Sequence, residues 1–452
     1  MTGRASVLGS TILLACAGLI SCGKTEASST PAATGASAAP EAKCAGDNGG
    51  LTLPAGFCAT IFADGIGHAR HAVVDSNGVV YVNTWSGSYY NTPPHEGGFV
   101  VALRDTNSDG RADAVSRFGA TPGKGSGGTG IGIYNGNLYV EEGKTIVRYA
   151  LDGANPVPTA AAQTVISGLP VNGDHPMHPF AIDGAGNLYV DLGTATNACQ
   201  LQNRVLQSPG HKPCTELETR GGIWRYDANK TNQQFSAAGR YATGIRNAVG
   251  IAIAPGGQLY STQHGRDQLY ENWPKLYTAE QGQNLPAEEL LRIDAGADYG
   301  WPACYYDNVQ KKLVLAPEYG GDGGKAVGDC AAKKNPVAYF PAHWAPDGLM
   351  FYSGKSFPAR YQGGAFIAFH GSWNRAPGPQ GGYLVAFVPF SGAGPAAAST
   401  FETFADGFAG ARKSPAAPHR PVGLAQARDG AIYVTDDQGG RVWRITYNGG
   451  SR

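Results

Sequence analysis

Apolar residues along this chain come in short runs separated by glycine, and one figure keeps returning. A glycine and one or two variable residues lead into a β-rich run in Gly78-Val-Val-Tyr81-Val, Gly136-Asn-Leu-Tyr139-Val and Gly186-Asn-Leu-Tyr189-Val. The same figure recurs in Gly257-Gln-Leu-Tyr260-Ser, Gly364-Ala-Phe-Ile367-Ala and Gly430-Ala-Ile-Tyr433-Val. Most copies follow another apolar run, such as Val249-Gly-Ile-Ala-Ile253 or Val422-Gly-Leu-Ala425. Strand, glycine turn, strand is the pattern of a hairpin. Six hairpins in one chain predict an all-β, six-bladed β-propeller. The runs Phe99–Leu103, Ile146–Tyr149, Gly222–Tyr226, Tyr383–Phe387 and Val442–Thr446 supply outer strands. The gap between Gly257 and Gly364 is the widest, so insertions are expected there, with Pro286–Leu291 as the best helical stretch.

Composition agrees with many strands and tight turns: 66 glycines and 29 prolines, with only 15% charged residues. Lys and Arg together number 35 and so do Asp and Glu, which removes the basic excess of a nucleic-acid binder. A small molecule is the expected partner.

The N-terminus reads as an export signal. Arg4 precedes a short apolar stretch from Val7 to Ile20, which ends in Leu19-Ile20-Ser21-Cys22. That ending is similar to a bacterial lipobox, with Cys22 as the lipidated residue. Residues 1–22 are thus expected to be a lipoprotein-type signal and 23–42, rich in Ala, Ser, Thr and Pro, a tether. Residues 43–452 form the propeller. The expected location is periplasmic or cell-surface, lipid-anchored, with outer-membrane sorting because Gly23 rather than Asp follows the cysteine. Cys44, Cys58, Cys199, Cys214, Cys304 and Cys330 remain, an even number suited to disulfides in an exported protein. Pairing them in sequential order, 44–58, 199–214 and 304–330, closes the shortest loops. None has CxxC spacing, which argues against zinc or a redox dithiol.

Several loops carry groups able to do chemistry. His175 and His178 lie just before a predicted inner strand, where an imidazole can take a proton from a substrate hydroxyl. Arg246 and Asn247, again before an inner strand, suit a carboxylate or quinone oxygen. The turn around Gly265 and Arg266 can direct carbonyls at a hard cation. Arg375 and Arg420 add two cations at blade entrances, and three arginines there suggest a ligand with several carboxylates. Asp105, Asn107, Asp109 and Asp113 match the first half of an EF-hand loop, with Gly110 at its turn and Ser116 where the glutamate should be. That pattern reads equally as a polar turn or as a structural calcium site.

Taken together, the motifs resemble the PQQ-dependent sugar dehydrogenase family, which includes sorbosone, pyranose and soluble glucose dehydrogenases. The resemblance rests on His175, Gly244-Ile-Arg246-Asn247-Ala-Val-Gly250, His264-Gly265-Arg266-Asp267 and Asp298-Tyr299-Gly300-Trp301-Pro302. It continues through Ala342-His343-Trp-Ala-Pro-Asp-Gly-Leu349, His370-Gly-Ser-Trp-Asn-Arg375, Arg420-Pro-Val-Gly-Leu424 and Tyr433-Val-Thr-Asp-Asp437. It implies a six-bladed propeller that oxidises a sugar at C1 with pyrroloquinoline quinone (PQQ) and calcium. His175 would be the general base, with His178 as an alternative or a partner. Arg246, Asn247, His343, Arg375 and Arg420 would bind PQQ, and the carbonyls of Gly265 and Arg266 its calcium. No Cys-x-x-Cys-His haem motif occurs, so electrons would pass to a separate acceptor such as a cytochrome or quinone. The same fold also serves calcium-dependent lactonases and non-catalytic binding platforms, the two competing readings.

Overall fold

The computed structural model describes residues 44, 46–86, 90, 95–120, 127–153, 155–375, 378–392, 394–411 and 416–449. The expected signal (1–22), lipidated Cys22 and tether (23–42) lie outside the described residues.

Six antiparallel sheets follow one another along the chain. The first blade takes Ala69–Val74, Val80–Thr84, Val100–Arg104 and Ala114–Phe118. The second takes Ile131–Tyr134, Asn137–Glu142, Thr145–Ala150 and Gln163–Ser167, with Gln233–Gln234 added in parallel at its rim. The third takes Phe180–Ile182, Asn187–Leu192, Gly222–Asp227 and Arg240–Thr243; the fourth takes Ile251–Ile253, Leu259–Gln263, Glu288–Arg292 and Ala338–Phe340. The fifth takes Pro346–Phe351, Ala365–Phe369, Leu384–Val388 and Glu402–Ala405. The sixth joins Pro421–Gln426, Ile432–Asp436 and Val442–Tyr447 to Phe57–Ala63, so the first and last strands among the described residues meet in one blade. The innermost strands touch their neighbours all the way round, from the first blade back to it. The propeller is closed.

Closure follows from the apolar pattern. Both faces of a blade are covered by its neighbours, so strands read as nearly continuous apolar runs. Six core clusters fill the six gaps between blades. The aromatic one between the fifth and sixth blades holds Phe57, Phe357, Tyr361, Phe366, Phe404 and Trp443. Polar latches run beside the channel. Asn83 Nδ2 donates to the Gly130 carbonyl of the second blade, and Glu141 accepts from the His178 amide of the third. Asp191 accepts from the Ala248 amide, Thr262 donates to the Pro346 carbonyl and Thr435 to that of Arg70. Each side chain satisfies a backbone group that closure would otherwise bury unpaired.

Every glycine-led run expected to be a strand is the second strand of a blade. The five outer runs are third strands. The sixth third strand is Glu288–Arg292, within the stretch expected to be helical. There Glu289 pairs with Gln263 on one side and Tyr339 on the other, so sheet pairing overrides a local preference for helix. The short helices of this insertion are Leu269–Asn272 and Ala279–Asn284, the latter started by a Thr278–Gln281 capping box. The disulfides are Cys44–Cys58, Cys199–Cys214 and Cys304–Cys330, the sequential pairing expected.

Candidate active site

Neighbouring strands within a blade run antiparallel, so entrances to the first strand and exits from the second lie on one face of the disc. His175, Arg246, His343 and Arg420 stand at such entrances. Gly265, Arg266 and Arg375 follow second strands. All the expected active-site residues therefore share one face. The Asp105–Asp113 loop joins a third strand to a fourth and lies on the other.

His175 is buried, and its Nδ1 lies 2.8 Å from the Thr194 carbonyl oxygen. A carbonyl only accepts, so Nδ1 carries the proton and the lone pair sits on Nε2, which makes no hydrogen bond among the described residues. Burial, seconded by the charge of Arg246, holds this imidazole well below its ordinary pKa against the opposing pull of the Thr194 carbonyl. His178 differs. Its Nδ1 is 3.1 Å from Glu141 Oε1 and its Nε2 is 2.8 Å from the Pro170 carbonyl, so both ring nitrogens face acceptors.

Arg246 is buried and makes four hydrogen bonds, one short of its five donors. Nε donates to the Asn197 carbonyl, Nη1 to the Gly265 carbonyl at 3.1 Å, and Nη2 to Asn197 Oδ1 and to Asp267 Oδ2 at 2.9 Å. Arg204 binds the same Asp267 oxygen at 3.0 Å and also reaches Asp174. Burial alone would raise the Asp267 carboxyl, but Arg246, Arg204 and His343 outweigh it and hold it well below the usual carboxylate range. Asn374 Nδ2 donates to Asp267 Oδ1 at 2.7 Å and contacts His343 Nδ1, whose Nε2 faces the Gly282 carbonyl. Asp267 thus ties loops of the third, fourth and fifth blades together. Gly265 cannot carry a side chain: a β-carbon there would lie 2.8 Å from the Ala287 carbonyl. Beneath the turn a cavity of about 20 Å³ touches Arg246, His264, Glu289 and Trp301, room for a water or an ion.

The other two arginines are braced on backbone. Arg375 donates through Nε to Pro379, through Nη1 to Gln283 and Ala342, and through Nη2 to Asn284 Oδ1. Arg420 holds the His370 and Gly371 carbonyls and lies over the Tyr383 ring, which leaves Nη1 without a hydrogen bond among the described residues. Asn247 Oδ1 and Arg266 Nη2 are buried without a hydrogen-bond partner among the described residues. Guanidinium and amide donors beside main-chain carbonyls are the donor set that a planar polycarboxylate with an oxygen-preferring cation requires. The residues present fit PQQ and calcium on that test.

In the Asp105–Asp113 loop, Asp105 accepts from the amides of Ser108, Asp109 and Gly110, while Asp113 accepts from Thr106. The carboxylates thus accept from the backbone of their own loop, a geometry common to the polar turn and to the calcium loop. Among the described residues no three His, Cys, Asp or Glu side chains gather as a metal site.

Sequence reasoning quoted His264, Asp347, His370 and Asp437 within its motifs but missed Arg70 and the belt of buried charge that they form together. Arg70 lies 2.6 Å from Asp437 and 3.4 Å from Asp347. His370 is 2.8 Å from Asp437, and His264 is 3.1 Å from Asp347, close enough for an ion pair but not aligned for a hydrogen bond. Arg70 is the second residue of an innermost strand, close to its entrance as Arg246 and Arg420 are to theirs, and that position was the available signal. Asn197 and Arg204 carried no signal beyond lying near a cysteine.

The family model described as TrAA12-like matches residues 51–448. A pyrroloquinoline quinone-dependent pyranose dehydrogenase from Coprinopsis cinerea is 29% identical over 237 residues, 45% of this chain and 30% of the relative. The chain spans less than half the length of the curated relatives it matches. Among solved structures, a Trichoderma reesei carbohydrate-active enzyme of family AA12 superposes with a TM-score of 0.69 at 20% identity, covering 88% of this chain and 98% of that one. The holo PQQ domain of the Coprinopsis cinerea pyranose dehydrogenase gives 0.66 at 20% identity, covering 91% and 99%. At such identities the likeness establishes the propeller fold.

Proposed function

The chain belongs to the TrAA12-like family, and from that premise we propose that it oxidises an aldose, pyranose or sorbosone-like sugar at C1, using PQQ and calcium. The observation that carries this reading is the state of His175. Its Nδ1 proton is committed to Thr194 O, so the basic lone pair is left on Nε2. Burial and Arg246 keep the ring uncharged near neutral pH, the form that accepts a proton from a sugar hydroxyl. His178 has each ring nitrogen against a protein acceptor, so neither is open to a sugar hydroxyl and the reading gives the base role to His175.

When bound, PQQ supplies the two-electron acceptor and calcium polarises it as a Lewis acid. Arg246 and Asn247 would orient the quinone edge and its carboxylates, and the Gly265 and Arg266 carbonyls would hold the ion. Asp267 keeps Arg246 in place. Arg420 has Nη1 to offer a carboxylate, while His343 and Arg375 shape the remaining edge. Electrons leave to a separate acceptor. The names of the Coprinopsis relative and of its PQQ domain support the cofactor and the sugar. The reading retains the exported, lipid-anchored location expected from residues 1–42.

The test is reconstitution of the purified chain with PQQ and calcium. A bound quinone chromophore and aldose-dependent dye reduction, both lost without PQQ, are expected. A chain that binds no quinone and reduces no dye with any of a panel of aldoses and sorbosone refutes the proposal.

A further inference from the structure

A second concavity lies on the same face, at the outer end of the junction between the fifth and sixth blades. It is a trough of about 350 Å³, lined by Thr52, Trp344, Gly381–Leu384, Asp406, Gly407, Ala409 and Gly410. That volume falls within the roughly 300–1,000 Å³ of small-molecule sites. The trough is distinct from the cavity under Gly265, with which it shares no lining residue.

Its walls are rigid. Thr52 and Asp406 pair through their backbones in both directions, and Ser372 clamps Gly381 through its own amide and hydroxyl. Trp344 is wedged edge-on against Phe369 and Phe401. Gly381 is what admits the indole, since a β-carbon there would meet Nε1 at 2.3 Å. Polar groups of the lining have hydrogen-bonding capacity to spare among the described residues. Neither the half-buried Trp344 Nε1–H nor the exposed Thr52 hydroxyl makes a hydrogen bond among the described residues. Asp406 uses Oδ1 to cap the Gly407 amide and keeps Oδ2.

The chemistry of this lining selects its ligand. Among the described residues the lining offers the Trp344 indole, one carboxylate, one hydroxyl and a floor of glycine backbone, with Tyr383 buried behind it and no cation; the Asp406 carboxylate disfavours an anionic ligand. The half-polar wall does not suit a lipid. A neutral polyhydroxylated ring fits, with its apolar face on the half-buried Trp344 indole and adjacent hydroxyls on the carboxylate. We infer that this trough is an accessory carbohydrate subsite, which takes a neutral sugar unit of an oligosaccharide or polysaccharide beside the catalytic mouth. Trp344 directly follows His343, and Tyr383 in its wall lies under Arg420. The inference deepens the sugar-oxidising reading and rests on it only for its purpose, holding substrate-bearing glycans near the site.

The experiment measures binding of cellotetraose and xylotetraose to the full chain, with and without PQQ and calcium, by tryptophan fluorescence and saturation-transfer NMR. A tetrasaccharide should bind more tightly than glucose, with or without cofactor. Thr52→Trp, which fills the trough from an exposed position, and Asp406→Ala should each weaken binding by about tenfold. Both should keep the parent melting temperature and the parent rate on monosaccharides. If neither tetrasaccharide binds at millimolar concentration, or if binding survives Thr52→Trp, the subsite does not exist. If the loaded protein oxidises no sugar but tetrasaccharide binding remains sensitive to Thr52→Trp, the dehydrogenase reading fails and the subsite stands.

Discussion

Replacing His175 by glutamine removes the basic nitrogen while keeping a polar side chain beside Thr194. A positioned general base contributes about 10²–10⁴ in rate, or roughly 2.7–5.4 kcal/mol of barrier. The cost to folding is smaller: one hydrogen bond to Thr194 O, about 1 kcal/mol, so the variant folds. Quinone loading is measured first by absorbance, because the comparison is meaningful only at equal occupancy. Dye reduction then gives kcat and kcat/KM, and both should fall by the same factor, since proton acceptance matters only in the transition state. The pH profile is the sharper readout. Burial and Arg246 depress the His175 pKa below its ordinary 6.5, so the acid limb of wild-type kcat/KM should lie below 6.5. His178→Gln should lower stability, through loss of the Glu141 contact, and leave that limb in place. A variant at His175 with near wild-type kcat/KM, or a wild-type limb at or above the ordinary imidazole value, would refute the assignment.

Other outcomes follow from the same geometry. Burial pushes the Asp191 carboxyl up to about 8 from 3.8, so the folded state holds a proton that the unfolded chain releases between those values. This contribution to stability is full below 3.8 and is lost as pH rises to about 8; denaturant titrations should show a shallower decline for Asp191→Asn. Arg204→Met frees Asp267 and loosens Arg246, and should weaken PQQ binding by about tenfold in an equilibrium titration. Replacing Cys199 and Cys214 by alanine opens a loop of 15 residues. On loop entropy alone that costs roughly 3 kcal/mol in urea unfolding, and it should weaken the cofactor site because the loop carries Arg204 and Asn197 stands two residues before it. Phe366→Ala, in the aromatic wedge between the fifth and sixth blades, should cost about 3–5 kcal/mol by the same assay.

The blade count was legible because it is written locally. Each second strand starts with a glycine turn, and those at Gly78, Gly136, Gly186, Gly257 and Gly430 adopt positive φ, where other residues are strained. Strand runs are apolar on both faces because both are buried, and the order of hairpins along the chain is the order of blades. The disulfides were legible because each closes a short local loop. Glu288–Arg292 was not, since nothing in its own composition marks a strand; its partners lie across a long insertion and after another.

The sequence by itself determined which residue types stand at the blade entrances, and therefore that an imidazole, arginines and a carbonyl turn share one face. Tertiary structure alone decided which partners each of them meets. His175 and His178 are three positions apart and look alike in sequence, yet one faces a single carbonyl and the other is held at both nitrogens. Arg246, Arg375 and Arg420 look equivalent, but their partners come from Asp267, from Gln283, Ala342 and Pro379, and from the His370 turn. The physical reason is that closing the ring buries these groups, and a buried polar atom must find whatever partner the neighbouring blade presents. That partner lies tens to hundreds of residues away: Asp437 for Arg70, Asp347 for His264. No local pattern encodes it.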